Sequence, residues 1–190
     1  MTIYAKNLDP NFKYELSMEL GGENLEYCFN CTGCSCGCPV AEVDPTFQPR
    51  RLIRMAILGM KEELLNSEAF WKCVSCYTCF ARCPQDVRIT EVLYALKNIA
   101  VREAAKGNIK IKTTKPIFDK LFLDSIKNNG RVEDAMVMAK FLYKTKGFKG
   151  LLDLKDLGLE MFKKGKISIL PKKIKGKKQI KNIFKRAGIK

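Results

Sequence analysis

Eight cysteines in two identical runs constrain this chain more than any other feature. Cys28, Cys31, Cys34 and Cys38 are followed by Pro39, and Cys73, Cys76, Cys79 and Cys83 by Pro84. Both runs therefore read C-x2-C-x2-C-x3-C-P. A cube of iron and sulfide presents four iron corners, and thiolates recurring every third residue let one short loop reach three of them. The proline after the last cysteine has no N–H and disfavours a helical residue before it, so it turns the chain away. In two-cluster chains the fourth cysteine of each run ligates the other cluster. The spacing thus assigns Cys28, Cys31, Cys34 and Cys83 to one 4Fe–4S cluster, and Cys73, Cys76, Cys79 and Cys38 to a second. Amides between the ligands, with Gly33 and Gly37 among them, can approach the sulfurs and tune the potential. Two interlocked clusters in one fold make an electron relay.

Other uses of cysteine fit less well. Zinc sites take paired C-x2-C knuckles or mix in histidine, and this chain has no histidine. A disulfide framework suits small secreted domains, whereas nine cysteines is an odd number and Lys6, Asp9 and Lys13 break any apolar leader after Met1. The ninth, Cys36, sits between two ligands and reads as a small filler rather than an exchangeable ligand. Thiolate-bound clusters place the chain in a reducing cytoplasm. The longest apolar stretch, residues 53–60, is too short to span a bilayer.

The net charge of +15 is concentrated at one end. Residues 163–190 hold twelve Lys or Arg and no Asp or Glu, and taking those twelve from +15 leaves residues 1–162 at +3. The high isoelectric point belongs to the tail.

Helical periodicity runs through the remainder. Phe12, Leu16 and Leu20 share a face ahead of Gly21-Gly22. The 34 residues between the motifs are too many for a hairpin. There Pro49 opens a helix with an apolar stripe of Leu52, Ile53, Ala56, Ile57 and Met60. A turn from Ser67 brings Phe70 and Trp71 against the second motif, with Trp71 read as insulation and core. After Pro84 comes a helix with Thr90 as N-cap, Val92, Leu93, Leu96, Ile99 and Ala100 inward, and Gly107 as its stop. Pro116 opens another through Ile117, Leu121, Phe122 and Ile126 to Gly130, and residues 135–143 and 151–162 read as two more. Met136, Met138, Phe141, Met161 and Phe162 are expected to pack in a core rather than form a docking face. No strand pattern occurs. The expectation is an all-α chain: a helical two-cluster ferredoxin-like domain over 1–108, a helical extension over 109–162 and a basic tail over 163–190. Within that tail Ile167, Ile169, Ile174, Ile180, Ile183, Phe184 and Ile189 alternate with lysines, and residues 179–187 can form a short amphipathic helix. Docking to a partner is favoured there over a solvated tail, a membrane surface or nucleic acid.

Gly22-Glu23-Asn24 before Cys28, the twin motifs, and Ala69-Phe70-Trp71-Lys72-Cys73 together resemble the iron–sulfur C subunit of methanogen heterodisulfide reductase, over roughly residues 10–105. The twin motif alone also recurs in the helical ferredoxin-like domains of succinate dehydrogenase, fumarate reductase, and glycolate and glycerol-3-phosphate oxidising complexes. This chain lacks the plant-type 2Fe–2S domain of the first two and the CCG repeats of the last two. The resemblance implies membership of the complex that reduces the mixed disulfide of coenzyme M and coenzyme B. In that family a flavin-containing subunit feeds electrons through the iron–sulfur subunit to a third, which holds the disulfide-reducing site. The soluble form works with a hydrogenase or formate dehydrogenase.

The residues agree with a wire. There is no histidine for acid–base work, no G-x-G-x-x-G or P-loop for a nucleotide, and no spare open metal site. No catalytic residue is assigned. Two alternatives stand beside the relay of a heterodisulfide reductase. One is the iron–sulfur subunit of another anaerobic dehydrogenase or a related sulfur-metabolising complex. The other is a cluster-containing nucleic-acid-binding protein, suggested by the tail alone.

Overall fold

No strand occurs among the described residues of this computed structural model, 8–166 and 174–188, and helices carry the whole architecture. They are α1 (Phe12–Ser17), α2 (Gly33–Cys36), α3 (Pro39–Val43), α4 (Pro49–Ile57), α5 (Lys61–Asn66), α6 (Thr78–Ala81), α7 (Ile89–Ala105), α8 (Lys115–Asn129), α9 (Asp134–Leu152), α10 (Lys155–Lys163) and α11 (Lys177–Arg186). Short 3₁₀ turns at Leu25–Tyr27 and Ala69–Lys72 lead into the two cysteine loops. The chain divides into two compact units, Met1–Thr113 and Thr114–Lys190.

The first unit is assembled on α7. Val92, Leu93, Leu96, Ile99 and Ala100 recur at helical spacing, and all are buried. They join Leu52, Ile53 and Ala56 of α4, Phe12 and Leu16 of α1, and Phe70 of the second 3₁₀ turn in one core. Each large apolar side chain so buried contributes about 1.5–3 kcal/mol. Pro49 stands at the start of α4, where a missing N–H costs no helical hydrogen bond. At the far end of α7, Gly107 takes φ 83°. Its N–H reaches the Ala104 carbonyl, and the Asn108 N–H reaches that of Glu103, each at 3.0 Å. This pair of bonds closes the helix end and occupies carbonyls that would otherwise be unpaired.

Two sequence expectations are corrected here. α1 ends at Ser17, so Leu20 leaves the helical face and stands 86% exposed. Thr90 is not the cap of α7: the helix begins at Ile89 after a left-handed Arg88, and Thr90 is buried in the first turn.

In the second unit α8 and α9 pack together. Leu121 and Val137 are buried between them, and the Phe118 and Phe141 rings meet edge-on at 5.6 Å. Gly130, left-handed at φ 81°, ends α8. α11 lies against α8, with Ile174 beside Gly130. α9 continues past residue 143, and its helical backbone breaks at Gly147 (φ 66°, ψ −153°). The expected core role fails for Met138, Met161 and Phe162, which are exposed, because the unit has too few helical layers to cover them. In the tail, α11 contains the amphipathic segment, while Ile167, Ile169 and Ile189 lie outside the described residues.

Candidate metal centre

Each cysteine run folds into the same sequence of local shapes. A short loop carries the first two thiols, a single helical turn (α2 or α6) carries the third, and the chain leaves through the fourth and its proline. α2 and α6 begin after left-handed residues, Thr32 (φ 72°) and Tyr77 (φ 60°). The two turns pack against each other, so the loops stand side by side. The guanidinium of Arg82, one residue before Cys83, lies against the backbone of Gly37, one residue before Cys38.

Two cavities open between the loops. The first is lined by Cys28, Cys31, Cys34 and Cys83, with Phe29, Val87 and Ile89 among its walls. The second is lined by Cys38, Cys73, Cys76 and Cys79, with Phe47, Thr90 and Leu93. They hold about 340 Å³ and 310 Å³, counting the space at their mouths. In each, three thiols come from one loop and the fourth from the other. Cys36 is exposed and lines neither cavity, and its Sγ lies 3.7 Å from the Thr32 hydroxyl. Trp71 also lines neither; it is 8% exposed and packs on Phe70 at 5.1 Å between ring centroids.

All nine cysteines are free thiols. Among the described residues, no three His, Cys, Asp or Glu side chains converge as ligands of a single ion do. The donors are instead spread round the walls of two mostly apolar spaces, four soft sulfurs to each. That donor set and spacing suit a polyatomic thiolate-bound cluster better than one tetrahedral zinc.

The thiols differ in their surroundings. Cys31 and Cys76 are exposed, Cys79 is buried, and the other five ligand candidates are half-buried. Burial pushes the Cys34 thiol up to about 11 and raises that of Cys79, because a thiolate is poorly solvated there. The Thr78 hydroxyl at 3.4 Å lowers the thiol of Cys76. The inner thiols therefore keep their protons until a cation is present to replace them, which couples metal uptake to proton release. Backbone N–H groups of Ser75 and Val87 point at the sulfurs of Cys73 and Cys83, each at 3.4 Å. The Thr90 Oγ1 lies 3.3 Å from the Cys79 Sγ.

Sequence reasoning missed this role of Thr90 and the left-handed steps of the loops.

Residues 24–87 match the family described as a 4Fe-4S dicluster domain. The chain is 36% identical over 114 residues to the C subunit of the H(2):CoB-CoM heterodisulfide,ferredoxin reductase of Methanothermobacter thermautotrophicus, covering 56% of this chain and 60% of that one. It is 40% identical over 86 residues to the C2 subunit of the H(2)/formate:CoB-CoM heterodisulfide,ferredoxin reductase of Methanococcus maripaludis, covering 45% and 44%. It is 35% identical over 105 residues to a protein of Archaeoglobus profundus described as like the C subunit of heterodisulfide reductase, covering 55% and 56%. The matched stretch spans no more than 60% of the length of these relatives. Among the described residues no helix is long and apolar enough to cross a membrane.

Proposed function

We propose that this chain is a heterodisulfide reductase C subunit, the electron-transfer subunit of a cytoplasmic heterodisulfide reductase complex. It would relay electrons from a flavin-containing subunit to the one that reduces the mixed disulfide of coenzyme M and coenzyme B. A hydrogenase or formate dehydrogenase would be the associated donor. Cys28, Cys31, Cys34 and Cys83 would hold one 4Fe–4S cluster, and Cys73, Cys76, Cys79 and Cys38 the other. Bound there, the two clusters supply one-electron chemistry.

The single observation that carries this reading is the exchange of the fourth thiol between the two cavities. The remaining work of the chain is to hold and to insulate. Phe47, Leu93, Val87 and Ile89 exclude water from the inner walls. The amides of Ser75 and Val87 hold ligand sulfurs in place. With no histidine near the thiols or anywhere else in the chain, no step of bond making is assigned to it. The basic face of α11 is assigned to docking on an acidic partner.

Iron and acid-labile sulfide analysis of the anaerobically purified chain tests the ligand sets, with about eight irons per chain expected. Cys38→Ala and Cys83→Ala should each lose cluster iron. A well-folded Cys83→Ala protein with two intact cubanes would refute the assignment. The isolated chain should accept and release electrons without reducing the heterodisulfide, and adding the flavin-containing and disulfide-reducing subunits should restore turnover. Reduction by this chain alone, at the rate of the complex, would overturn the relay.

A further inference from the structure

The first turn of α7 stands between the two cavities and treats them differently. Ile89 lines the first, and its neighbour Thr90 lines the second. Thr90 is 1% exposed, and its hydroxyl lies 3.3 Å from the Sγ of Cys79, itself buried. A valine would fill the same volume there, so packing does not account for the hydroxyl. Water does not reach it. Its partner is the sulfur.

While Cys79 is a thiol, either atom can donate this hydrogen bond. Once Cys79 is a cluster-bound thiolate it has no hydrogen to give, and only the Thr90 hydroxyl can donate. Adding an electron increases the negative charge on the ligand sulfurs. A donated hydrogen bond therefore stabilises the reduced state more than the oxidised one, and the low local dielectric strengthens the difference.

We propose that Thr90 is a positioning residue that raises the reduction potential of the cluster held by Cys38, Cys73, Cys76 and Cys79, making the two clusters unequal. This rests on the ligand sets proposed above. The reduction adds one electron to the cluster; no bond is made or broken, and the threonine keeps its proton. The second cluster is then favoured as the resting place of an electron, and the isoleucine wall of the first gives no equivalent help.

The test is an anaerobic redox titration of the full chain with dithionite, followed by electron paramagnetic resonance. Cys31→Ser identifies the first cluster by perturbing its signal. Thr90→Val should lower the midpoint of the second cluster alone, by about tenfold in the ratio of reduced to oxidised form, which is about 59 mV for one electron. Thr90→Ser should restore it. If Thr90→Val does not hold its clusters, Thr90→Ala deletes the hydroxyl without adding bulk and reads the same shift. If neither holds, double resonance on the reduced wild-type chain in D2O should show, beside the deuteron of the Ser75 amide, a second deuteron coupled to the second cluster that Thr90→Ser retains. Equal movement of both midpoints, movement of neither, or no such deuteron overturns the inference while leaving the ligand sets intact. Wild-type chain without two cubanes by iron analysis overturns the ligand sets, and this inference with them.

Discussion

Asn30 and Ser75 occupy the same step of the two cysteine loops, two residues past the leading cysteine, and both have left-handed backbones, at φ 67° and 58°. Thr32 and Tyr77 repeat the coincidence two residues later. Left-handed steps turn successive amides towards one side of the loop, and such concavities favour anionic groups, iron–sulfur clusters included. Non-glycine residues hold that shape at a cost of about 1–3 kcal/mol each.

Replacing these residues should therefore follow backbone preference rather than polarity. Asn30→Val should destabilise the protein by about 1–3 kcal/mol, and Asn30→Gly should be tolerated or slightly stabilising. Ser75→Val should cost more than Asn30→Val, because it also removes the 2.7 Å hydrogen bond between Ser75 and Tyr94. Anaerobic thermal unfolding of the holoprotein measures both.

Burial sets a second contrast. Phe70 is fully buried against Trp71, so Phe70→Ala should cost about 3–5 kcal/mol. Leu20→Ala, at an 86% exposed position, should change stability by no more than about 0.5 kcal/mol. Equal effects in denaturant titration would contradict the packing described for α1.

Two glycines should respond differently to an added methyl group. At Gly22 a Cβ would land on the backbone carbonyl of Leu16, which cannot move without unwinding α1. At Gly37 it would meet the guanidinium and Cδ of Arg82, a flexible side chain that is exposed and can swing away. Gly22→Ala should cost about 3 kcal/mol, and Gly37→Ala well under half of that. Denaturation midpoints of the two variants decide it.

Acid should weaken the first unit over a defined window. A hydrogen bond from Lys72, then one from Thr46, holds the Asp44 carboxyl at about 2 against an ordinary 3.8. Lys106, then Asn108, holds Glu103 at about 2 against 4.5. A carboxyl whose folded pKa lies below its unfolded one contributes stability that is complete above the unfolded value and is lost as pH falls towards the folded one. The chemical unfolding midpoint, followed by circular dichroism, should fall between about pH 4.5 and pH 2. Combining Lys72→Met with Lys106→Met should flatten that dependence. An unchanged slope in the double variant would mean these pairs do not set it.

Lys178, Lys181 and Lys185 are exposed on α11. Changing all three to Glu should weaken assembly with an acidic partner by about tenfold, mainly through a slower association rate, since each exposed pair is worth about 0.2–1 kcal/mol. The cluster spectra should not change. Unaltered association kinetics would remove α11 from the docking surface.

Much of this was readable in advance where one rule decides one residue. Pro49 opens α4, Gly107 and Gly130 close α7 and α8, and the stripe of α7 is buried as its periodicity requires. The misreadings fall where tertiary context competes with a local rule. Thr90 has the chemistry of a helix cap, but the left-handed Arg88 starts the helix two residues earlier and frees the hydroxyl for a sulfur. Leu20 fits a helical face that Met18 ends too soon. Met161 and Phe162 have core composition in a unit too thin to bury them.

Each thiol set has one member at the surface, Cys31 in the first and Cys76 in the second. On the proposed ligand sets, a cluster corner held there would lie within a short tunnelling distance of whatever docks on that loop, and no protein layer would have to move for an electron to cross. The same opening would admit dioxygen, which takes electrons from reduced iron without any docking. Speed of transfer and sensitivity to air would thus be one property of two side chains, and shielding either loop to protect the metal would slow the current through it.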